Sequence, residues 1–211
     1  MVHAIRIHET GGPEVLSWDE VNVGSPSEGE ILVRHTAIGL NYIDTYLRTG
    51  VRPLPMPSIL GLEAAGVVEE VGEGVNHLSV GDRIGYADMP AGAYSEARVM
   101  PAKIAVKLPD AVNDQVAAAS MLKGMTAQFL IRQTFRVEPG MTVLLHAAAG
   151  GVGLIASQWL NHLGATVIGT VGSKEKAELA KAHGVHHTIN YQTEDFVERV
   201  NEITGGEGVP V

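Results

Sequence analysis

The sequence predicts an α/β protein in which a β-rich domain is followed by part of a doubly wound parallel sheet. Three observations lead to this fold class. Residues 1–108 read as short strands separated by turns rich in glycine and proline. Residues 142–176 read as strand, glycine turn, helix, strand and basic loop. The chain then reaches its last residue where the second half of such a sheet would begin. We expect domains at 1–121 and 122–211, the second truncated and the chain part of a longer protein.

The β-rich domain is predicted from alternating extended segments and turns. A short helix is expected from Asn41 to Arg48, with Asn41 and Asp44 as a reciprocal capping pair. The expected strands run from Val2 to His8, Val15 to Val21, Glu30 to Ile38, Ala65 to Val71, Asp82 to Tyr86 and Ala93 to Val99.

A helix capped by Asn113 or Asp114 leads into the second domain. Parallel strands are expected from Thr142 to His146, Ala165 to Val171 and His187 to Asn190, with a last helix from Asp195 to Ile203. Because only the first half of the sheet is predicted, we expect the first of these strands to have an unpaired apolar edge.

The glycine turn predicts a nucleotide site. Ala147, Gly150 and Gly153 are spaced by two residues each, between a strand and a helix. Glycine there lets backbone N–H groups approach a pyrophosphate, which the helix N-terminus stabilises. A plain packing turn is the alternative. The strand-before, helix-after context favours a nicotinamide dinucleotide.

An acidic residue that binds the ribose 2′-hydroxyl is expected about 20 residues after this turn. The residues found there are Thr170, Val171, Gly172 and Ser173, followed by Lys174 and Lys176. A hydroxyl and two ammonium groups suit a 2′-phosphate, so the sequence favours NADPH over NADH. Ser173 also reads as an ordinary helix N-cap, and both interpretations can hold together.

Composition excludes several classes of function. A net charge of −9 disfavours nucleic-acid binding, and the absence of cysteine excludes disulfides, thiolate catalysis and thiolate zinc sites. Three neighbouring histidines, His183, His186 and His187, have no acidic partner beside them and read as surface residues, so no metal is expected. Neither a signal peptide nor an unbroken apolar span is indicated, which predicts a soluble cytoplasmic protein.

At Gly61-Leu62-Glu63-Ala64-Ala65-Gly66 and the Gly81-Asp82-Arg83 turn, the chain resembles a medium-chain dehydrogenase/reductase. Leu62 stands where zinc-dependent members have a histidine, so the resemblance is to the zinc-free quinone oxidoreductases related to ζ-crystallin. Further segments carry the likeness along the whole chain: HETGGPEVL, AIGLNYIDTYLRTG, AAASMLKGMTAQFL and GMTVLLHAAAGGVGLIASQW. The fold implied is a GroES-like catalytic domain followed by a Rossmann-type NADPH-binding domain.

The resemblance also implies the site residues and the reaction. The residues alone already suggest a ligand cleft walled by Tyr46 and the stiff proline-rich loop from Arg52 to Pro57. The resemblance implies that Asn41 and Tyr46 border the substrate, and we expect Asn41, Tyr46 and Arg52 to act on it. Many members have an aromatic residue where Arg52 stands, so Arg52 favours a more polar or anionic acceptor. The residues expected to contact NADPH are Tyr42, Ile43, Tyr46, Lys123, Thr126, Gly150, Gly151, Val152, Gly153, Gly172, Ser173, Lys176 and Tyr191.

The expected reaction is metal-free hydride transfer from NADPH to a quinone, whose developing oxyanion is stabilised by donors such as Tyr46 and Asn41. The alternatives are reduction of enones or 2-alkenals, and an NADPH-binding protein without useful turnover. The resemblance further implies a homodimer for the full-length protein.

Overall fold

The computed structural model describes residues 1–211, which divide into two compact units, Met1–Leu122 and Lys123–Val211. None of its helices combines the length and apolar content that a membrane crossing requires.

The first unit is built from two antiparallel sheets. Its strands are β1 (Val2–Ile7), β2 (Ser17–Val21), β3 (Glu30–Gly39), β4 (Ser58–Ile59), β5 (Glu63–Val71), β6 (Arg83–Ala87), β7 (Ala97–Pro101) and β8 (Val106–Lys107). One sheet has the order β2-β1-β4 and the other the order β7-β3-β5-β6-β8. Helix α1 (Tyr42–Arg48) follows β3, and helix α2 (Asp114–Gln128) begins in this unit and continues into the second.

The core of the larger sheet is formed by apolar side chains from alternate positions of its strands. Ile31 and Val33 on β3 pack with Ala64 and Val68 on β5 and with the ring of Tyr86 on β6. Each of these side chains is at most 1% exposed. Strand β5 is also buried at the intervening position Ala65, which packs with Ala117 and Ala118.

Two expected strands of the first unit are shorter than the sequence predicts. A turn of 3-10 helix at Pro13–Val15 delays β2 until Ser17, because proline at its first position fixes the backbone in a helical conformation. The segment 93–96 lies before β7 instead of inside it, and Ser95 makes only an isolated bridge to Ala4. Strands β4 and β8 were not predicted.

The second unit is a parallel three-stranded sheet flanked by helices. Its elements are β9 (Thr142–Leu145), α3 (Gly151–His162), β10 (Thr166–Val171), α4 (Lys174–Ala182), β11 (His187–Asn190) and α5 (Phe196–Thr204), and a π-helical turn at Phe129–Thr134 follows α2. The order β11-β10-β9 places the first strand at one side of the sheet. Crossover helices between parallel neighbours are the arrangement that the βαβ pattern predicts.

The structure partly corrects the expectation of an unpaired edge on β9, because the strand lies at the side of the sheet but one residue of its outer edge has a partner. The N–H of Leu144 donates to the carbonyl oxygen of Val211 at 2.9 Å. The last residues therefore lie beside β9 on the side opposite β10, and Val209 joins the apolar cluster of Ile168, Ile189 and Val200.

Candidate functional site

The glycine turn after β9 brings three backbone segments into close contact. Ala147 has a φ of +52°, in the left-handed region that side chains rarely adopt, and the N–H of Gly150 donates to its carbonyl oxygen at 2.8 Å. A Cβ atom at Gly153 would lie 2.4 Å from that same oxygen. Only glycine fits there, which is the close helix–strand packing that the fingerprint predicts.

Gly150 is the N-cap of α3, so the N-terminal N–H groups of this helix are directed at the turn. A Cβ at Gly151 would lie 2.9 Å from Cδ and 3.0 Å from Cε of Lys123, which places the lysine stem beside the turn. Thr126 follows on the same helix, and Val152 is half-buried in the first turn of α3. The structure thus places Gly150, Gly151, Val152 and Lys123 near one another.

A cavity of about 120 Å³ opens between this turn and the end of β10. Lys176 lies in its wall, whereas Lys174 does not. The two basic residues of the loop, equivalent in the sequence, are therefore distinguished by the structure. The full set of lining residues is Ala147, Ala149, Gly150, Val171, Gly172, Lys176 and Tyr191.

Gly172 and Tyr191 form one side of this cavity. A Cβ at Gly172 would lie 2.5 Å from the Tyr191 hydroxyl oxygen, so glycine is what allows the tyrosine to lie against the end of β10. Tyr191 is half exposed and follows β11 directly. Its ring is available for a planar group in the cavity.

Ser173 acts as the N-cap of α4, because its Oγ accepts from the N–H of Lys176 at 3.3 Å. The structural interpretation of Ser173 is therefore confirmed. The pKa of the exposed Glu175 carboxyl is held below its ordinary value by its own backbone N–H and then by Ser173. Lys176 is the side chain in the cavity wall that carries a charge, and its charge is positive, so the residues present suit an anionic group.

In the first unit, the start of α1 is fixed by a buried carboxylate. Asn41 is the N-cap, and its backbone N–H donates to Oδ2 of Asp44 at 2.9 Å, as the predicted capping pair requires. The hydroxyl of Tyr94 donates to the same oxygen at 2.8 Å. Burial, followed by the bond to Asp44, raises the pKa of Tyr94, so it stays a neutral donor.

A second buried carboxylate holds the side chain of Asn41. Glu63 is 0% exposed, and its Oε2 accepts from Nδ2 of Asn41 at 2.7 Å, while its Oε1 accepts from the N–H of Leu122 at 2.7 Å. In the sequence, Glu63 stands out only as part of the motif Gly61–Gly66, and no contact is predicted for it. The signal available was an acid inside the apolar run Leu60–Val68, since a buried charge needs hydrogen-bonding partners.

The exposed face of α1 carries the aromatic residues named from the sequence. Tyr42 is 75% and Tyr46 41% exposed, and their rings meet edge to face with centroids 5.3 Å apart. Ile43 is half-buried and packs on the apolar cluster around Leu47. Arg52 is exposed, and its backbone N–H donates to the carbonyl oxygen of Tyr46 at 3.1 Å.

Two family models match the chain. The model described as "Alcohol dehydrogenase GroES-like domain" matches residues 27–110, and the one described as "Zinc-binding dehydrogenase" matches residues 151–211. Quinone oxidoreductases of bacteria are 50–53% identical along the whole chain. The chain belongs to the medium-chain dehydrogenase/reductase family, and within it is similar to the quinone oxidoreductases. Its fold is accordingly a GroES-like domain joined to a Rossmann-type nucleotide-binding domain.

Relatives within this family are similar in sequence and structure. A 2-haloacrylate reductase from Burkholderia sp is 54% identical over 100% of this chain and 65% of its own length. The quinone oxidoreductase of Salmonella typhimurium is 53% identical, with the same coverage of both proteins. The solved Escherichia coli quinone oxidoreductase complexed with NADPH matches with a TM-score of 0.96, at 51% identity, over 98% of this chain and 64% of that one. The chain thus spans about 65% of the length of these relatives.

The zinc in the second model's description has no matching cluster here. No group of three or more His, Asp or Glu side chains is placed to hold a metal ion, and the sequence has no cysteine. Of the three neighbouring histidines, His186 uses its Nδ1 to accept a hydrogen bond from the backbone N–H of Val167 at 3.0 Å.

Proposed function

We propose that this chain binds NADPH and belongs to a reductase that transfers hydride to a quinone without a metal. The observation that carries the proposal is the cavity at the end of β10, where Lys176 lies and no carboxylate does. A ribose 2′-phosphate would be attracted to that ammonium group, whereas the 2′-hydroxyl of NADH would lack its usual acidic acceptor. The solved Escherichia coli relative with NADPH supports the choice of cofactor.

The glycine turn would hold the pyrophosphate of this cofactor. The backbone N–H groups of Gly151, Val152 and Gly153 begin helix α3 and lack helical partners, so they are suited to donate to phosphate oxygens. The N–H of Gly150 donates to Ala147, so Gly150 would contribute the close approach of its backbone instead. Tyr191 would lie beside the adenosine, and Gly172, Ser173 and Lys176 would surround the 2′-phosphate.

When bound, NADPH supplies the hydride and its electron pair to the acceptor. The residues of the chain position that acceptor and stabilise the negative charge that develops on its oxygen. We assign Tyr46 and Asn41 as the donors to this oxygen, with Tyr42, Ile43, Lys123 and Thr126 bordering the nicotinamide. Two buried carboxylates fix Asn41 through its backbone and its side chain, which limits its freedom before substrate arrives.

Arg52 bears on the choice of acceptor. Arg52 is exposed, and its backbone N–H donates to the carbonyl oxygen of Tyr46 at 3.1 Å, which ties the start of the proline-rich loop to helix α1. A cation there favours quinones with polar or anionic substituents over purely apolar ones.

The test is NADPH oxidation by the purified chain with 1,4-benzoquinone, a carboxylated quinone and a 2-alkenal as separate acceptors. We expect both quinones to be reduced faster than the alkenal, and the carboxylated quinone faster than 1,4-benzoquinone. In Arg52→Gln the two quinones are expected to be reduced at similar rates. Faster reduction of the alkenal would contradict the quinone assignment. Tight NADPH binding with no acceptor reduced would instead identify a binding protein without turnover.

A further inference from the structure

A second cavity, of about 500 Å³, lies in the first unit. It shares no residue with the cavity at the end of β10, which is called the nucleotide cavity below. Its size falls in the range of about 300–1,000 Å³ that is typical of small-molecule sites. Strands β1, β2, β4 and β7 and the loop before β7 form its walls. The charged side chains among its lining residues are Arg6, Glu20 and Arg98.

Arg98 is the unusual member of this set, because it is only 8% exposed. Its Cζ lies 5.5 Å from the centre of the Tyr86 ring, and its Nη1 donates to the carbonyl oxygen of Pro90 at 3.1 Å. On the other side the guanidinium lies against Gly92, where an added Cβ would be 3.0 Å from Cζ. The guanidinium is thus enclosed between an aromatic ring and a glycine backbone.

This buried cation has no carboxylate partner. No Asp or Glu oxygen lies within 4.0 Å of its nitrogens, and arginine does not lose its proton to escape burial. A charge taken out of water is costly unless it is paired. A carbonyl oxygen and a ring face neutralise it only in part. The structure therefore holds a fixed, pre-oriented positive charge on the wall of an open cavity.

Two further donors lie on the same wall. Arg6 is half-buried on β1 and contributes a second guanidinium to the cavity. Asn22 follows β2, and its Oδ1 already accepts from the N–H of Gly24 at 3.2 Å, so its amide nitrogen is the donor that it brings. Glu20 is exposed and is the single acid among the lining residues. Positive charge and N–H donors predominate.

We propose that this cavity is a binding site for a small oxyanion, a carboxylate or a phosphate, held by Arg98 and Arg6. The planar fork of a guanidinium matches the paired oxygens of both groups. Burial of Arg98 raises the strength of that contact, because the surrounding dielectric constant is lower than that of water. The site is independent of the proposed reductase function.

The experiment follows the Nε–H resonances of the arginines by NMR in the ¹⁵N-labelled chain. Inorganic phosphate and, in a separate arm, malonate are titrated at constant ionic strength against chloride. We expect the resonances of Arg98 and Arg6 to shift together along one saturating curve with at least one of the two anions. The arm with the tighter curve identifies the class of ligand.

Variants separate this site from the nucleotide cavity, which also attracts phosphate. Arg6→Gln is expected to lower the anion affinity measured from the Arg98 resonance roughly tenfold, because one charged hydrogen bond is lost. Two control variants are expected to leave this affinity unchanged. They are Arg34→Gln, which removes an exposed arginine paired with Glu69, and Lys176→Ala.

An Arg98 resonance that does not respond to either anion, in a chain that is folded by its spectrum, would overturn the proposal. A linear response equal to that of Arg34 would do the same, because it would show general screening and not a site. Arg98→Lys keeps the charge but loses the fork, and it is expected to abolish the saturating shift at Arg6. If that shift persisted, Arg98 would have no part in binding.

Discussion

The side chain of Asn41 donates to the buried carboxylate of Glu63 at 2.7 Å. The two residues are 22 positions apart and belong to different elements, the cap of α1 and the first residue of β5. Through this contact the fully buried Glu63 fixes the side chain of Asn41, which we propose contacts the substrate.

Glu63→Gln is expected to destabilise the protein by about 1–3 kcal/mol, since a neutral amide presents one acceptor oxygen where the carboxylate presents two to N–H donors. Turnover is expected to fall more than NADPH affinity, because Asn41 loses its fixed orientation. Urea unfolding and steady-state kinetics measure the two effects. Glu70→Gln, at an exposed position of the same strand, is the control, and an equal change in that variant would remove the specific role of Glu63.

Tyr46→Phe removes a hydroxyl that is assigned to the developing oxyanion. Loss of such a donor lowers turnover by roughly a hundredfold, with little change in cofactor affinity. Kinetics with a quinone and separate NADPH titrations measure the two quantities. If both fell equally, Tyr46 would be a structural or cofactor-binding residue and not a donor to the acceptor.

Gly153→Ala is expected to disrupt the glycine turn, because its Cβ would lie 2.4 Å from the carbonyl oxygen of Ala147. The strand and helix must move apart, which weakens NADPH binding and lowers the unfolding temperature. Gly124→Ala is the matched control, since nothing lies within 4 Å of the added atom and the position is helical. It is expected to stabilise the protein by about 0.5–1 kcal/mol. Unchanged NADPH affinity in Gly153→Ala would contradict the assigned role of the turn.

Acid is expected to destabilise the protein through His35. Burial, opposed by a bond to Ser95 and assisted by the charge of Arg98, lowers its pKa from 6.5 to about 4. Between these values the unfolded chain binds a proton that the folded chain does not, so stability falls as pH falls through this window. The loss is on the order of 3 kcal/mol. The pKa values of Asp82 and Asp114 lie below their ordinary range, so their contribution is lost only at lower pH.

Urea unfolding across that window tests this prediction. His35→Gln is expected to be less stable at neutral pH, because contacts to Ser95 and Tyr86 change, but to show a flatter dependence on pH. His77→Gln, at an exposed position of the same unit, should keep the slope of the parent protein. A slope that survives in His35→Gln would assign the acid sensitivity to other groups.

Elements with strong local patterns were predicted from the sequence almost to the residue. Strand β11 has the predicted bounds, and β10 begins one residue later than predicted, at Thr166. The two-residue strands β4 and β8 were missed because they exist only through pairing with distant strands, such as Ile59 with Arg6 on β1. No local pattern marks so short a segment.

The same distinction between local and distant contacts explains which parts of the candidate site could be predicted from the sequence. The glycine turn and the Ser173 cap are local, and the sequence located both. The buried contact of Glu63 with Asn41, and the different positions of Lys174 and Lys176 relative to the cavity, depend on how distant segments pack. Spacing along the chain carries no information on them.

Titration of NADPH and NADH against the parent chain and two lysine variants tests whether the cavity at the end of β10 selects NADPH through Lys176. We expect the parent chain to bind NADPH more tightly than NADH, Lys176→Ala to weaken NADPH roughly tenfold with little effect on NADH, and Lys174→Ala to change neither. Equal affinity for NADPH and NADH in the parent chain, with NADPH binding unchanged in Lys176→Ala, would show that Lys176 does not select the cofactor.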